Sequence, residues 1–428
     1  MTRPPSPRHP SLIQTARYGL DPVNYLVGLH RKLGDVFHTK LLGEHYVWVA
    51  PPALNSEIFR RDEAGVSAGA TRAPFMDFLV GEQSVLCLEG DAWQTERKRL
   101  AAPFHGRAVE HWRAEVNALA VEHVDRLPHD GPFAARDFTQ AFALDVILKI
   151  VFGVTDTTRM QGALARLMRT PAAIAWPALR RAAQRVGVGP WNRFVADRAA
   201  FDAILAEEIA RRRAAPGGED LIATLLSGDV SDAQLRDDLA TIIAAGHETT
   251  ATALAWSLEL LARHPGVVAE LERDVAEHGD KGPYLEAVVR ETLRVRPILT
   301  DAAREVTAPL ELGGFDVPVG WHVCPGIAIT QRLPEYWPEP AAFRPERFLV
   351  ARPPYEAWLP FGGGRRRCLG SGFAQMEMRA YLAALIERRT LSAQSSKPER
   401  AMLRGFTVAP ARGGRVSAPV RTRTAVRA

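Results

Sequence analysis

Cysteine is scarce in this chain: Cys87, Cys324 and Cys368 are all that 428 residues contain. Three scattered thiols cannot build a disulfide framework, which excludes a stapled secreted scaffold and points to a reducing compartment, the cytoplasm. A long hydrophobic run is also missing at the start. Residues 1–10 are proline-rich and basic with no apolar stretch behind them, which argues against a signal peptide and a membrane anchor. No linker and no internal repeat divides the sequence, so a single domain over 1–428 is expected, with flexible ends at 1–20 and 412–428. Acidic residues fall slightly short, leaving a net charge of +5 and a pI near 9.3. No nucleic-acid motif accompanies that excess, so it reads as solvated surface and no nucleic-acid partner is expected.

What is there is concentrated in Pro360-Phe361-Gly362-Gly363-Gly364-Arg365-Arg366-Arg367-Cys368-Leu369-Gly370. Its glycines permit turns closed to other residues and a close approach to a flat ligand. From 371 to 389 the chain consists of good helix formers with few breakers. Cys368 therefore sits just before a helix N-terminus. Free N–H groups and the macrodipole favour an anion there, lower a thiol's pKa and suit a metal-bound thiolate. A cysteine beside a turn is more often a structural core residue; the glycines, arginines and helix start together reverse that preference.

Other runs carry chemistry less plainly. Trp93 and Arg97 are four apart on a predicted helix and point the same way, which by itself describes a surface cation–π pair. Ser231-Asp232-Ala233-Gln234 opens a capping-box helix that runs without a breaker to Arg263, roughly 50 Å at about 1.5 Å per residue. Its centre reads Ala244-Ala245-Gly246-His247-Glu248-Thr249-Thr250. A glycine there costs about 1 kcal/mol against alanine, so either a kink or a functional groove must account for it. Pro283 opens a helix over 284–295 in which Glu291 and Arg294 share a face, by default a surface ion pair. Segments 37–42 and 45–50 read as a hairpin about Gly43-Glu44, with further short strands at 310–312, 315–317 and 321–325. Residues 65–88 read as irregular, 107–215 as helical with breaks near Pro171, Pro177 and 187–190, and 402–408 as one strand.

Taken together, these runs resemble the cytochrome P450 family. The resemblance is carried by Phe361, Gly364, Arg366, Cys368, Gly370 and Ala374, by Ala245 through Thr250, by Trp93 with Arg97, and by Glu291 and Arg294 with Arg347. It implies a mainly α fold with a small β region (α+β), triangular and helix-rich, with haem b between the long central helix and the cysteine-loop helix. Cys368 would be the axial thiolate on haem iron. Phe361, Gly362, Gly370 and Ala245 would lie against the haem, and Trp93, Arg97, Arg304 and Arg366 would hold its propionates. Small Ala245 and Gly246 would leave room for dioxygen, Thr249 would hydrogen-bond it, and Glu248 would relay protons from solvent, chemistry that suits a hydroxyl and a carboxylate. Glu291, Arg294 and Arg347 would form a buried structural triad. Phe75, Phe78, Ala244, Ile298, Leu299 and Phe406 are the candidates for a substrate pocket, with Ile174, Trp176 and Leu179 on a mobile lid.

The resemblance also implies an activity: insertion of one oxygen atom of O2 into a C–H or C=C bond of a lipophilic small molecule. Two departures bear on it. Trp93 stands where many soluble bacterial members have histidine, and the arginine-rich cysteine loop is more similar to members acting on fatty acids or terpenoids, a hint of secondary metabolism. Little chain follows the cysteine helix, so electrons are expected from a separate ferredoxin or flavodoxin with its NAD(P)H-dependent reductase, and the protein is expected to be a monomer. Arg365–Arg367 with Arg97-Lys98-Arg99 would offer that acidic partner a landing patch. Two alternatives remain: a peroxide-driven peroxygenase of the same fold, against which the intact Glu248–Thr249 pair argues, and a haem-based sensor, for which no output segment is visible.

Overall fold

The computed structural model describes residues 2–101, 104, 107–154, 157–167, 177–186, 189–215, 217, 221–226, 228, 230–350 and 353–421. Its longest helix, Asp232–Arg263, starts where the Ser231 hydroxyl accepts the Gln234 N–H at 3.2 Å. Every residue from Thr250 to Leu261 is buried. A helix without a polar face in that half has to run through the interior. Helices Ala135–Asp145, Pro190–Ala214, Pro283–Val295 and Ser371–Arg388 pack against it, and their apolar faces merge with it into one core that includes Phe142, Phe201, Leu285, Met376 and Leu385.

A five-stranded sheet stands beside this helical body in the order Val36–Leu41, Glu44–Val49, His322–Pro325, Arg304–Val306, Val66–Ser67. Only the Glu44–Val49/His322–Pro325 pair is parallel. Strand alternation feeds both faces: Val36, Val47, Val49 and Val323 enter one cluster, while Phe37, Leu41, Trp48 and Cys324 enter another. The hairpin turns at Leu42 and Gly43, with φ of 48° and 94°, one residue earlier than the sequence suggests. Both central residues have positive φ, which matches the twist of the flanking strands.

Three expectations are corrected. The stretch read as irregular contains the helix Ala68–Val80, nucleated by Ser67, whose hydroxyl accepts the Ala70 N–H at 2.8 Å; Pro74 is tolerated inside it. The single strand expected at 402–408 is a hairpin, Ala401–Arg404 against Thr407–Pro410, reversed at Gly405 with φ of 56°. Among the described residues, parts of the ends expected to be flexible carry structure. Helix Ser11–Leu20 lies on the hairpin, where Gln14 and Thr15 accept the N–H groups of Lys40 and Leu42. Arg415–Ser417 joins Phe133–Ala134 and Ser392–Ala393 in a small sheet. The expectations for Ile174, Trp176 and the Leu179 side chain lie outside the described residues.

Glu291, Arg294 and Arg347 meet. Arg294 donates to both Glu291 oxygens at 2.7 and 2.8 Å, with neither side chain exposed, and Arg347 adds a bond at 3.0 Å. Arg294 also donates to the carbonyls of Gln331, Pro340 and Ala342. Removing the carboxylate charge would strand a buried guanidinium, so Glu291→Gln is expected to cost about 3–5 kcal/mol in denaturant unfolding. A loss below about 1 kcal/mol would show that the pair carries no such constraint.

Candidate active site

The cysteine loop is shaped by close packing on Phe59. Gly362 and Gly364 have φ of 67° and 64°, and a Cβ on Gly364 would fall 2.9 Å from that of Phe59; only glycine fits. The Cys368 N–H closes the loop onto the Phe361 carbonyl at 3.0 Å. Helix Ser371–Arg388 then begins at Gly370, whose N–H is directed at the Cys368 sulfur. Cys368 has accessible surface, yet burial pushes its thiol up, against lowering by the Gly370 N–H and by the charges of Arg367 and Arg97. A side chain both accessible and enclosed faces an internal hollow. Ala245 is likewise exposed near the middle of the long helix, while Ile243 and His247 are buried. The Thr250 hydroxyl meets Glu377 of the cysteine helix at 3.2 Å, which holds these two segments together.

Guanidinium groups crowd beside the loop. Arg366 is buried over the Trp93 ring at 4.1 Å, with Arg365 at 4.8 Å and Arg97 at 5.5 Å. Glu89 approaches Arg366 at 2.9 Å, but the angles are poor and none of its three nitrogens has an aligned acceptor. Arg304 donates to Asp62 at 3.1 Å and to the Ala302 and Ala303 carbonyls. Arg72, which no sequence motif marks, is pushed down to about 9 by burial and then by the charges of Arg304 and Arg366. Buried cations that repel one another call for anions. A thiol on an enclosed hollow beside this arginine cluster fits a flat metal-bearing cofactor with carboxylate arms. The Arg97 guanidinium also donates through one nitrogen to the Arg367 carbonyl at 2.6 Å.

In the long helix, the Thr249 hydroxyl donates back to the Ala245 carbonyl at 2.7 Å. Glu248 is held by residues that sequence gave no means to find: Arg136 at 2.5 Å, Gln140 at 2.8 Å and Thr407 at 3.2 Å. Gly246 also serves helix packing: a Cβ there would lie 2.6 Å from Ile147 Cδ1.

The pocket candidates divide. Ala244 and Phe75 are half-buried. Phe78 is engaged by Phe194, Trp191 and Arg180, so it anchors the helices Pro177–Val186 and Pro190–Ala214. Ile298 belongs to the main core, whereas Leu299 and Phe406 are each 40% exposed. The basic patch is also smaller than expected: Lys98 and Arg365 are exposed, but Arg366 is buried and Arg99 is turned to Glu96 and Asp238. No described helix is long and apolar enough to cross a membrane.

Comparison with known proteins agrees with this geometry. The family profile described as Cytochrome P450 matches residues 3–414. The putative cytochrome P450 135A1 of Mycobacterium tuberculosis is 35% identical, over 96% of this chain and 94% of that protein. The putative cytochrome P450 138 of the same organism is 30% identical, over 96% and 95%. Among solved structures, the retinoic acid bound cyanobacterial CYP120A1 has a TM-score of 0.86 at 22% identity, covering 98% of this chain and 100% of that one. The cytochrome P450DA heme domain has a TM-score of 0.83 at 24% identity, covering 99% and 98%. The chain therefore belongs to the cytochrome P450 family, haem-iron monooxygenases that use O2 and a source of electrons.

Proposed function

We propose that this cytochrome P450 hydroxylates a C–H bond, or oxidises a C=C bond, of a lipophilic terpenoid or fatty-acid-like molecule in the cytoplasm, with haem b held by Cys368. The observation that carries this reading is the enclosed yet accessible Cys368 beside half-buried Arg72 and buried Arg304 and Arg366. When bound, haem supplies oxygen activation: two electrons and two protons convert O2 to water and one oxygen atom delivered to the substrate.

The chain's own residues prepare that chemistry. The Gly370 N–H and the nearby Arg367 and Arg97 charges favour the thiolate with which Cys368 would hold the haem iron. Arg72, Arg304 and Arg366 would take the propionates and lose their mutual repulsion. Thr249 keeps its hydroxyl on the Ala245 carbonyl until the groove offers another acceptor. Glu248 would collect protons on its Arg136 side, where the pair retains some solvent exposure, and pass them toward Thr249. Substrate position above the groove, which Ala244, Ala245 and Leu299 would line, would select the carbon attacked. Lys98 and Arg365 would receive an acidic ferredoxin or flavodoxin, and the protein would act as a monomer. The intact Glu248–Thr249 pair favours O2 and reductant over a peroxide-driven cycle.

Three measurements test this. Cys368→Ser is expected to abolish the thiolate absorption signature of the reduced carbon monoxide complex; its survival would remove Cys368 as the ligand. Thr249→Ala is expected to bind substrate normally while reducing equivalents go to peroxide instead of product, and unchanged coupling would take Thr249 out of proton delivery. A spin-state titration of the ferric protein, with cyclic terpenoids set against linear fatty acids, is expected to respond to at least one class. A panel without any response would overturn the substrate reading.

A further inference from the structure

A separate cavity of about 280 Å3 opens where helix Pro22–Leu33, the residues following helix Pro283–Val295 and the hairpin Ala401–Arg404/Thr407–Pro410 meet the long helix. Its walls include Trp256, Arg296, Arg332, Arg400 and the carboxylates of Asp21 and Glu399. Both acids are already engaged. Asp21 accepts from the Asn24 backbone at 3.3 Å and from its amide at 2.8 Å. Glu399 accepts from the Arg412 N–H at 3.0 Å and from its Nε at 3.1 Å. Arg332 is also occupied in part, donating to the Val295 and Ala328 carbonyls at 2.7 and 3.3 Å.

Arg296 is different. Its guanidinium lies over the Trp256 ring, 4.7 Å from the centroid, and its Nε is buried without an acceptor. Its one ion pair among the described residues is a loose 3.9 Å approach to Glu259, a carboxylate that Arg263 also approaches at 3.6 Å. Burial pushes Arg296 down. Arg332 is pushed down to about 9 by burial and then by the charges of Arg296 and Arg294. Arg296 and Arg332 are half-buried. With Arg400 the walls carry three cations against two carboxylates that are already engaged, so the cavity is short of negative charge. A planar guanidinium fork matches two oxygens of one oxyanion.

We propose that this cavity is an anion-binding site, which takes a small carboxylate- or phosphate-bearing molecule on the free edge of Arg296 against Trp256. Its volume lies below the range of about 300–1,000 Å3 typical of organic-ligand pockets, so it suits a compact anion rather than the lipophilic substrate. The wall is shared with the active site. Trp256 Nε1 donates to the Val408 carbonyl at 2.8 Å, and the adjacent Thr407 holds Glu248.

Calorimetric titration of the ferric holoprotein with inorganic phosphate and, separately, with malonate tests the site. Saturable binding of phosphate alone assigns a phosphate-bearing ligand, binding of malonate alone a carboxylate, and binding of both a general oxyanion site. Arg296→Gln is expected to weaken the binding roughly tenfold or more, with Arg296→Lys between it and the parent, while haem absorption stays unchanged. Arg400→Gln, on the rim, serves as the second variant should Arg296→Gln not fold. Absence of saturable binding with either anion overturns the proposal, as does undiminished binding in Arg296→Gln or, where that variant does not fold, in Arg400→Gln.

Discussion

The structure depends on one carboxylate with no access to water. Glu291 is fully buried and accepts from Arg294, Arg347 and the Arg344 N–H, while Arg294 reaches the carbonyls of Gln331, Pro340 and Ala342. Burying two opposite charges is costly unless every lone pair and proton is satisfied. Here nearly all of them are satisfied, by segments far apart in sequence. The helix Pro283–Val295 is thereby locked to the 331–347 loop. Gln331 in turn accepts the Leu359 N–H and so fixes the approach to the cysteine loop.

Around that anchor the protein places its functional charges where they are least comfortable. Arg366 is buried over Trp93, and Arg72 has its pKa pushed down by burial and by its neighbours. Such a cluster destabilises the bare chain and is tolerable because an anionic ligand would neutralise it, the usual cost of a preorganised site. The cavity at Arg296 follows the same rule on a smaller scale.

The long helix divides its labour along its length. Its second half is uniformly buried and acts as the spine. Near the middle, Ala245 is exposed, Thr249 bonds back to its carbonyl, and Glu248 enters a polar network with Arg136, Gln140 and Thr407. An acid tied to one wall and a hydroxyl open to the other are joined by a single peptide unit. That adjacency is what the proposed proton delivery by the pair rests on.

The local elements were legible from the sequence because their causes are local. The Ser231 cap, the unbroken run to Arg263, the glycines before Cys368 and the Glu291/Arg294 spacing depend on turn geometry, propensity and i to i+3 or i+4 neighbours. The tertiary structure decided the rest. Glu248 takes its partner from Arg136, 112 residues earlier in the chain. Gly246 proves to be a packing residue only because Ile147 lies on it, and Phe78 an anchor only because Phe194 and Arg180 arrive. Arg72 and Arg296 look like ordinary surface cations until partial burial, and the company of other arginines, pushes the pKa of each down. Such contacts are set by how the helices and the sheet pack, and chain spacing carries no record of them.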